Sequence, residues 1–118
     1  MAVYKLERFE VRPEARDEAE RAMHAFAMYV REHLDDSMWT TYRDTSAPNR
    51  YIAMTRTNDV AADQRHADAD GTKAFVATLS ALVIGDVESA EYELVTSSDL
   101  APRHRDRGGA RGRRRLGR

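Results

Sequence analysis

The stretch MWTTYRDTSAPNRYIAMTRTN, residues 38–58, decides the fold. Residues 38–44 and 50–58 are rich in β-branched and aromatic side chains, the composition of strands. Between them, residues 45–49 (TSAPN) bring together Ser, Pro and Asn, each a turn former for its own reason. The spacing predicts an antiparallel hairpin in the middle of the chain, so the elements on either side must pack onto it.

Working outward toward the N-terminus, residues 13–34 read as one long helix. Ala15, Ala19, Ala22, Phe26, Tyr29 and His33 step by three and four, and Met23, Val30 and Leu34 widen the stripe. Glu14, Asp17, Glu18 and Glu20 crowd its first turns, while Arg31 and His33 close it, an order that suits the helix dipole. Before it, residues 3–11 (VYKLERFEV) form a strand candidate with apolar residues on both faces: Val3, Phe9 and Val11 on one, Tyr4 and Leu6 on the other. Beyond the hairpin, Asp59 is placed to cap a short helix over residues 60–65. The run DADG breaks the chain, and Thr72 caps a further helix with Phe75, Val76, Leu79, Leu82 and Val83 as its stripe. Gly85 ends that helix, and residues 86–97 read as the last strand. The order β-α-β-β-α-β predicts an α+β, ferredoxin-like unit: a four-stranded antiparallel sheet with helices on one face. Strands apolar on both sides leave the other sheet face wanting a cover, and a homodimer packed sheet on sheet supplies one.

The 118 residues suffice for one domain, over residues 1–100. The net charge of −1 conceals an uneven division. Residues 103–118 hold eight Arg and one acid, a charge of +7 on a Gly-rich segment; the body carries −8. Residues 101–118 are expected to be a disordered tail, open at most to nonspecific polyanion contact, with no specific nucleic-acid site. No apolar run is long enough for a membrane span, and the N-terminus lacks the layout of a signal peptide. With no cysteine in the chain, disulfides, thiolate nucleophiles and Cys-based metal sites are excluded, and a cytoplasmic location is expected.

Among polar residues, His66 stands out at the end of the Ala-rich segment AADQRH. It could be a catalytic base, a metal or haem ligand, or a polar plug. The other histidines, His24, His33 and His104, are too scattered to make a ligand spacing, so no metal is expected. Arg56 lies inside a strand run, on one face with Ile52 and Met54. It could hold an anion in a cleft, pair across a dimer, or pair across strands with Glu7, Glu91 or Glu93; Arg43 poses the same choice. Trp39, Tyr42 and Phe75 could wall a flat aromatic pocket or simply fill the core. Trp39 and Tyr42 differ by three positions, so they point to opposite strand faces and only one of them should line any single cleft.

The segments KLERFEVRPE, SMWTTYRDTSAPNRYIAMTRTND, AADQRH, GTKAFVATL and EYELVTSS together resemble the antibiotic biosynthesis monooxygenase domain, one of the dimeric α/β-barrel families, over about residues 3–98. The resemblance implies a dimer of ferredoxin-like units, each with a cleft between sheet and helices. Several members oxidise phenols, hydroquinones or polyketide-like rings with molecular oxygen and no cofactor; a haem-degrading branch shares the scaffold, and other members have no known activity. It also implies that His66 is the general base, since many relatives place a histidine after the third strand and its short helix. Arg56 would then stabilise an anion, with Trp39, Tyr42, Thr57 and Phe75 around a small aromatic substrate. Thr57, nine residues before the histidine, stands where relatives often carry Trp or another aromatic. That departure keeps open a binding or stress-response module without turnover, and counts against the haem branch, which uses the bulky residue.

Overall fold

A computed structural model describes residues 1–99; the segment read as a basic tail lies outside the described residues. The hairpin forms as the sequence requires. β2 (Ser37–Arg43) pairs antiparallel with β3 (Arg50–Thr57), and between them Asp44 accepts hydrogen bonds from the Ser46 amide and hydroxyl at 2.8 and 2.7 Å. β1 (Val3–Val11) lies against β3, and β4 (Val83–Tyr92) closes the other edge, giving an antiparallel sheet of order β2-β3-β1-β4. With helices on one side, this is the ferredoxin-like α+β fold.

Several boundaries differ from the sequence reading, each for a local reason. Pro13–Ala15 is a 3-10 turn, and α1 proper spans Arg16–His33. α2 runs over Val60–Asp68, three residues further than expected, capped by Asp59, whose carboxylate accepts from the Ala62 amide at 2.8 Å. Residues 68–71 (DADG) hardly interrupt the helices: Ala69 alone is extended before α3 (Asp70–Ser80) begins. Thr72 is therefore a buried residue inside α3, not its cap. Gly71 sits in the first turn because the ring of Tyr29 on α1 presses against it, and a Cβ there would overlap that ring. Gly85 is not a helix stop either. It lies within β4 at φ +69°, where the register against β1 shifts between Arg8 and Glu10, so its freedom at positive φ serves a bulge. Val83 accordingly starts a strand, and β4 ends at Tyr92.

Strand register sorts every side chain to one of two faces. Val3, Lys5, Glu7, Phe9 and Val11 of β1 share the helix side with Tyr51, Ala53, Thr55 and Thr57 of β3 and with Ser37, Trp39, Thr41 and Arg43 of β2. There Phe9, Val11, Tyr51 and Ala53 meet Ala15, Ala19 and Met23 of the first helical segment and Leu79 and Leu82 around the end of α3, forming the core. The opposite face carries Leu6, Ile52 and Met54, half-buried, beside exposed Met38, Tyr42, Ile84 and Tyr92, with no helix on it among the described residues.

Candidate functional site

α2 packs over β2 and β3, α1 over β2, and α3 against α1; β4 makes its extensive contacts with β1 alone. On the helix side, Tyr51, Ala53 and Thr57 of β3 and Val3, Phe9 and Val11 of β1 are buried, whereas β4 is exposed from Ile84 onward. Lys5 and Glu7 are half-buried there, beside the exposed Ser89 and Glu91 of β4.

His66 lies at the margin of this region, within α2, and only 8% of it is exposed. Its ring meets the ring of Phe26 edge-on, centroids 5.8 Å apart. Phe26 stacks in turn on Phe75 at 4.5 Å and nearly parallel, and Trp39 abuts both rings edge-on. Four elements, α1, α2, α3 and β2, thus build one aromatic wall with a single imidazole in it. The His66 Nδ1 is buried and has no hydrogen-bond partner among the described residues. Burial holds the imidazole below its ordinary pKa of 6.5; Lys5 acts in the same sense, while Asp63 and Asp36 oppose it. A neutral imidazole with a partnerless buried nitrogen is equipped to accept a proton from an acidic O–H group.

Asp63, one turn before His66, receives a hydrogen bond from Lys5 Nζ at 2.7 Å, tying β1 to α2. Glu7, two residues along β1, has its carboxyl pushed up by burial, with the Lys5 charge opposing. Beyond it, Asp36 is held low by its pairing with Arg65.

The remaining residues named from sequence fall out differently. Arg56 is on the opposite face of the sheet from His66, between Tyr4 and Met38 in register, and its guanidinium donates to Asn58 at 3.3 Å. Arg43 finds no acid across the strands: it makes a bidentate pair with Glu20 of α1, at 2.6 and 2.9 Å, and Tyr51 donates to the same carboxylate at 2.6 Å. That network holds Glu20 low and, with burial as the larger cause, pushes Tyr51 up to about 12. Thr57 is on the His66 side but wholly buried, its hydroxyl without a partner among the described residues. Trp39 and Tyr42 do point to opposite faces, yet both border one groove of about 440 Å³ with Glu20, Met23, His24 and Arg43; β2 is an edge strand, and the groove wraps around it. His66 is not among its lining residues. No group of three or more metal-ligating side chains occurs among the described residues, and none of the helices described there is long and apolar enough to cross a membrane.

In the sequence Phe26 carries no mark beyond its helix stripe, Glu7 suggests only a cross-strand partner for an arginine, and nothing ties Lys5 or Asp63 to His66. The signal for Lys5 and Glu7 was their odd parity, shared with Val3, Phe9 and Val11.

Solved structures with this fold include several oxygenases. A crystal structure of an antibiotic biosynthesis monooxygenase superposes with a TM-score of 0.73 at 16% identity, over 80% of this chain and 99% of that one. A protein from Mycobacterium tuberculosis, Rv0793, gives 0.75 at 17% identity, over 83% and 99%. A variant of SnoaB, a cofactor-independent oxygenase from Streptomyces nogalater, gives 0.71 at 21%, over 82% and 96%. The likeness expected from sequence is thus present in the fold. No protein-family model matches the sequence, and no curated protein matches it.

Proposed function

We propose that this protein is a monooxygenase that uses molecular oxygen on a small phenolic, quinol or polyketide-like aromatic compound, with no cofactor, and that His66 is its base. The observation that carries the reading is the buried Nδ1 of His66, set without a partner against a wall of aromatic rings. Leaving such an atom unpaired costs about 1–3 kcal/mol, and a ligand O–H would recover it. Similarity of fold to a cofactor-independent oxygenase supports the same reading.

Oxygen is a sluggish oxidant of neutral phenols, whereas a phenolate passes an electron to it readily. His66 would take the phenolic proton, and the ring would supply every electron needed. For a phenol with hydrogen on its para carbon, one oxygen atom becomes the new quinone carbonyl and the other leaves as water. Phe75 and Trp39 would offer flat surfaces to the ring. Arg56, across the sheet from His66, takes no part in this scheme, and Thr57 would shape the site from beneath without touching the substrate.

The reading includes a cytoplasmic homodimer. Its support is the bare sheet face, where Leu6, Ile52, Met54, Met38 and Tyr42 make an apolar surface flanked by Arg8, Arg50 and Arg56. A second reading, a small-molecule binding module without turnover, is favoured by Thr57, whose small buried side chain offers a substrate ring no aromatic surface at that position.

The test is oxygen consumption with a panel of hydroquinones and phenols. Wild type should consume oxygen with at least one of them, and His66→Ala should lose about 100-fold or more of that rate, as when a general base is removed. Tight binding by wild type with no oxygen uptake on any compound would favour the binding module. Equal rates in the two proteins would remove His66 from the mechanism.

A further inference from the structure

An anion formed beside His66 needs a cation on the same side of the sheet. Lys5 is on that side, and Arg56 is not. We propose that Lys5 is the group that receives the phenolate oxygen, and that Asp63 is the positioning residue that aims it.

The geometry supports this in three steps. Lys5 is at an odd position of β1, facing α2, and is half-buried beside the exposed Ser89 and Glu91 of β4. Its Nζ reaches Asp63 at 2.7 Å, one turn before His66, which brings the ammonium into the electrostatic field of the imidazole. An ammonium has three N–H donors; Asp63 accepts one, and no other hydrogen bond from Nζ is made among the described residues. Lys5 and Asp63 side chains are 37% and 20% exposed, so the pair is sheltered enough to hold its geometry and open enough to admit a ligand. A lysine fixed by one carboxylate, with donors to spare, can bind an oxyanion by a charge-assisted hydrogen bond. Proton balance is simple: the phenol O–H bond breaks, His66 gains the proton, and the phenolate oxygen accepts from Lys5 Nζ.

This inference rests on the proposed base role of His66, but it is tested apart from turnover. 4-Nitrophenol serves as the probe, because its phenolate absorbs visible light and its neutral form does not. Below its free pKa, adding wild-type protein should raise the phenolate band. Lys5→Met should weaken that binding about tenfold or more, Lys5→Arg should retain most of it, and Arg56→Met should leave it unchanged. Asp63→Asn should weaken it less than Lys5→Met. In an NMR titration the same Asn substitution should lower the His66 pKa further, because Asp63 holds it up, whereas Lys5→Met should raise it. Equal phenolate bands in wild type and Lys5→Met would overturn the assignment, as would no band with wild type or the loss of the band in Arg56→Met. If the bands behave as expected and no phenol supports oxygen uptake, Lys5 stands as an anion-binding residue and the monooxygenase reading fails.

Discussion

Phe26 and Ile52 are apolar residues on opposite sides of one sheet, and they have unlike surroundings. Phe26 is buried among four other ring systems, Tyr29, Trp39, Phe75 and His66. Ile52, on β3, faces away from every helix and is only half-buried. The odd positions of β3 are closed off by helices; its even positions, Ile52, Met54 and Arg56, remain apolar and basic without a cover. What differs between the faces is which helices the connections place over them, since strand composition is apolar on both sides. On the covered face helices α2 and α3 add walls, whereas the bare face carries an open groove of about 490 Å³ bordered by Arg8, Glu10, Arg50, Ile52, Ile84 and Glu88.

The largest expected effect follows from that contrast. Phe26→Ala should cost about 3–5 kcal/mol in denaturant unfolding, because the cavity it leaves lies among stacked rings that cannot all collapse inward. Ile52→Ala should cost about 1 kcal/mol or less in dilute protein. If a second copy covers the bare face, that cost will grow with protein concentration, since association stabilises by mass action. A melting temperature of Ile52→Ala that tracks wild type at every concentration would leave the bare face without a self-partner.

The same contrast explains what could be read from sequence. The hairpin announced itself because Ser46, Pro48 and Asn49 act locally, and Asp59 capped α2 as its position required. β1 was read to the residue, since Arg12 and Pro13 stop it. The junction of α2 and α3 was misjudged because Gly71 answers to Tyr29, far away in sequence on α1; a glycine chosen for close approach looks like one chosen for a turn. His66 stands out in the sequence as the histidine closing AADQRH and takes its role as base from the resemblance; nothing in the sequence ties its neighbours to it. Phe26 is indistinguishable from the rest of its stripe, and Lys5 and Glu7 share a strand face with Val3, Phe9 and Val11 without any mark that ties them to His66. Only the strand order, with β4 at an edge and exposed from Ile84 onward, shows that their face is partly open. Arg56 was set beside His66 without the register that separates them.

A smaller effect sharpens the helix-covered side. Gly71→Ala should destabilise by about 1–3 kcal/mol, the range for overpacking a tight contact, because its Cβ would meet the Tyr29 ring. In an exposed helix the same change would be stabilising, so even the sign is informative. Tyr29→Ala should remove most of the penalty when combined with Gly71→Ala, giving a coupling that unfolding measurements on the four proteins can read. Additive costs would mean that the ring and the glycine do not meet.

The smallest effect is one of pH, and it sets two groups on the covered face against each other. His66 is held below 6.5 in the fold, chiefly by burial, so its unfolded form binds a proton more readily. Its contribution is present above pH 6.5 and is lost as pH falls through the folded value, with a slope of at most about 1.4 kcal/mol per pH unit. Glu7 is held above its ordinary 4.5. Its contribution is present below that value and is lost as pH rises through the folded one. Between pH 4.5 and 6.5 the two contributions therefore have opposite sign: Glu7 makes stability fall as pH rises from 4.5, and His66 makes it rise as pH approaches 6.5. His66→Gln should remove the rise with pH, leaving the fall due to Glu7; Glu7→Gln should do the reverse and steepen the rise. Asp63, Asp36 and Lys5, the charges that act on the imidazole, stay in place in both variants. Urea titrations across that window check it. Parallel curves for wild type and His66→Gln would mean that the imidazole titrates as freely in the fold as out of it, and that the wall of rings around it does not keep water away.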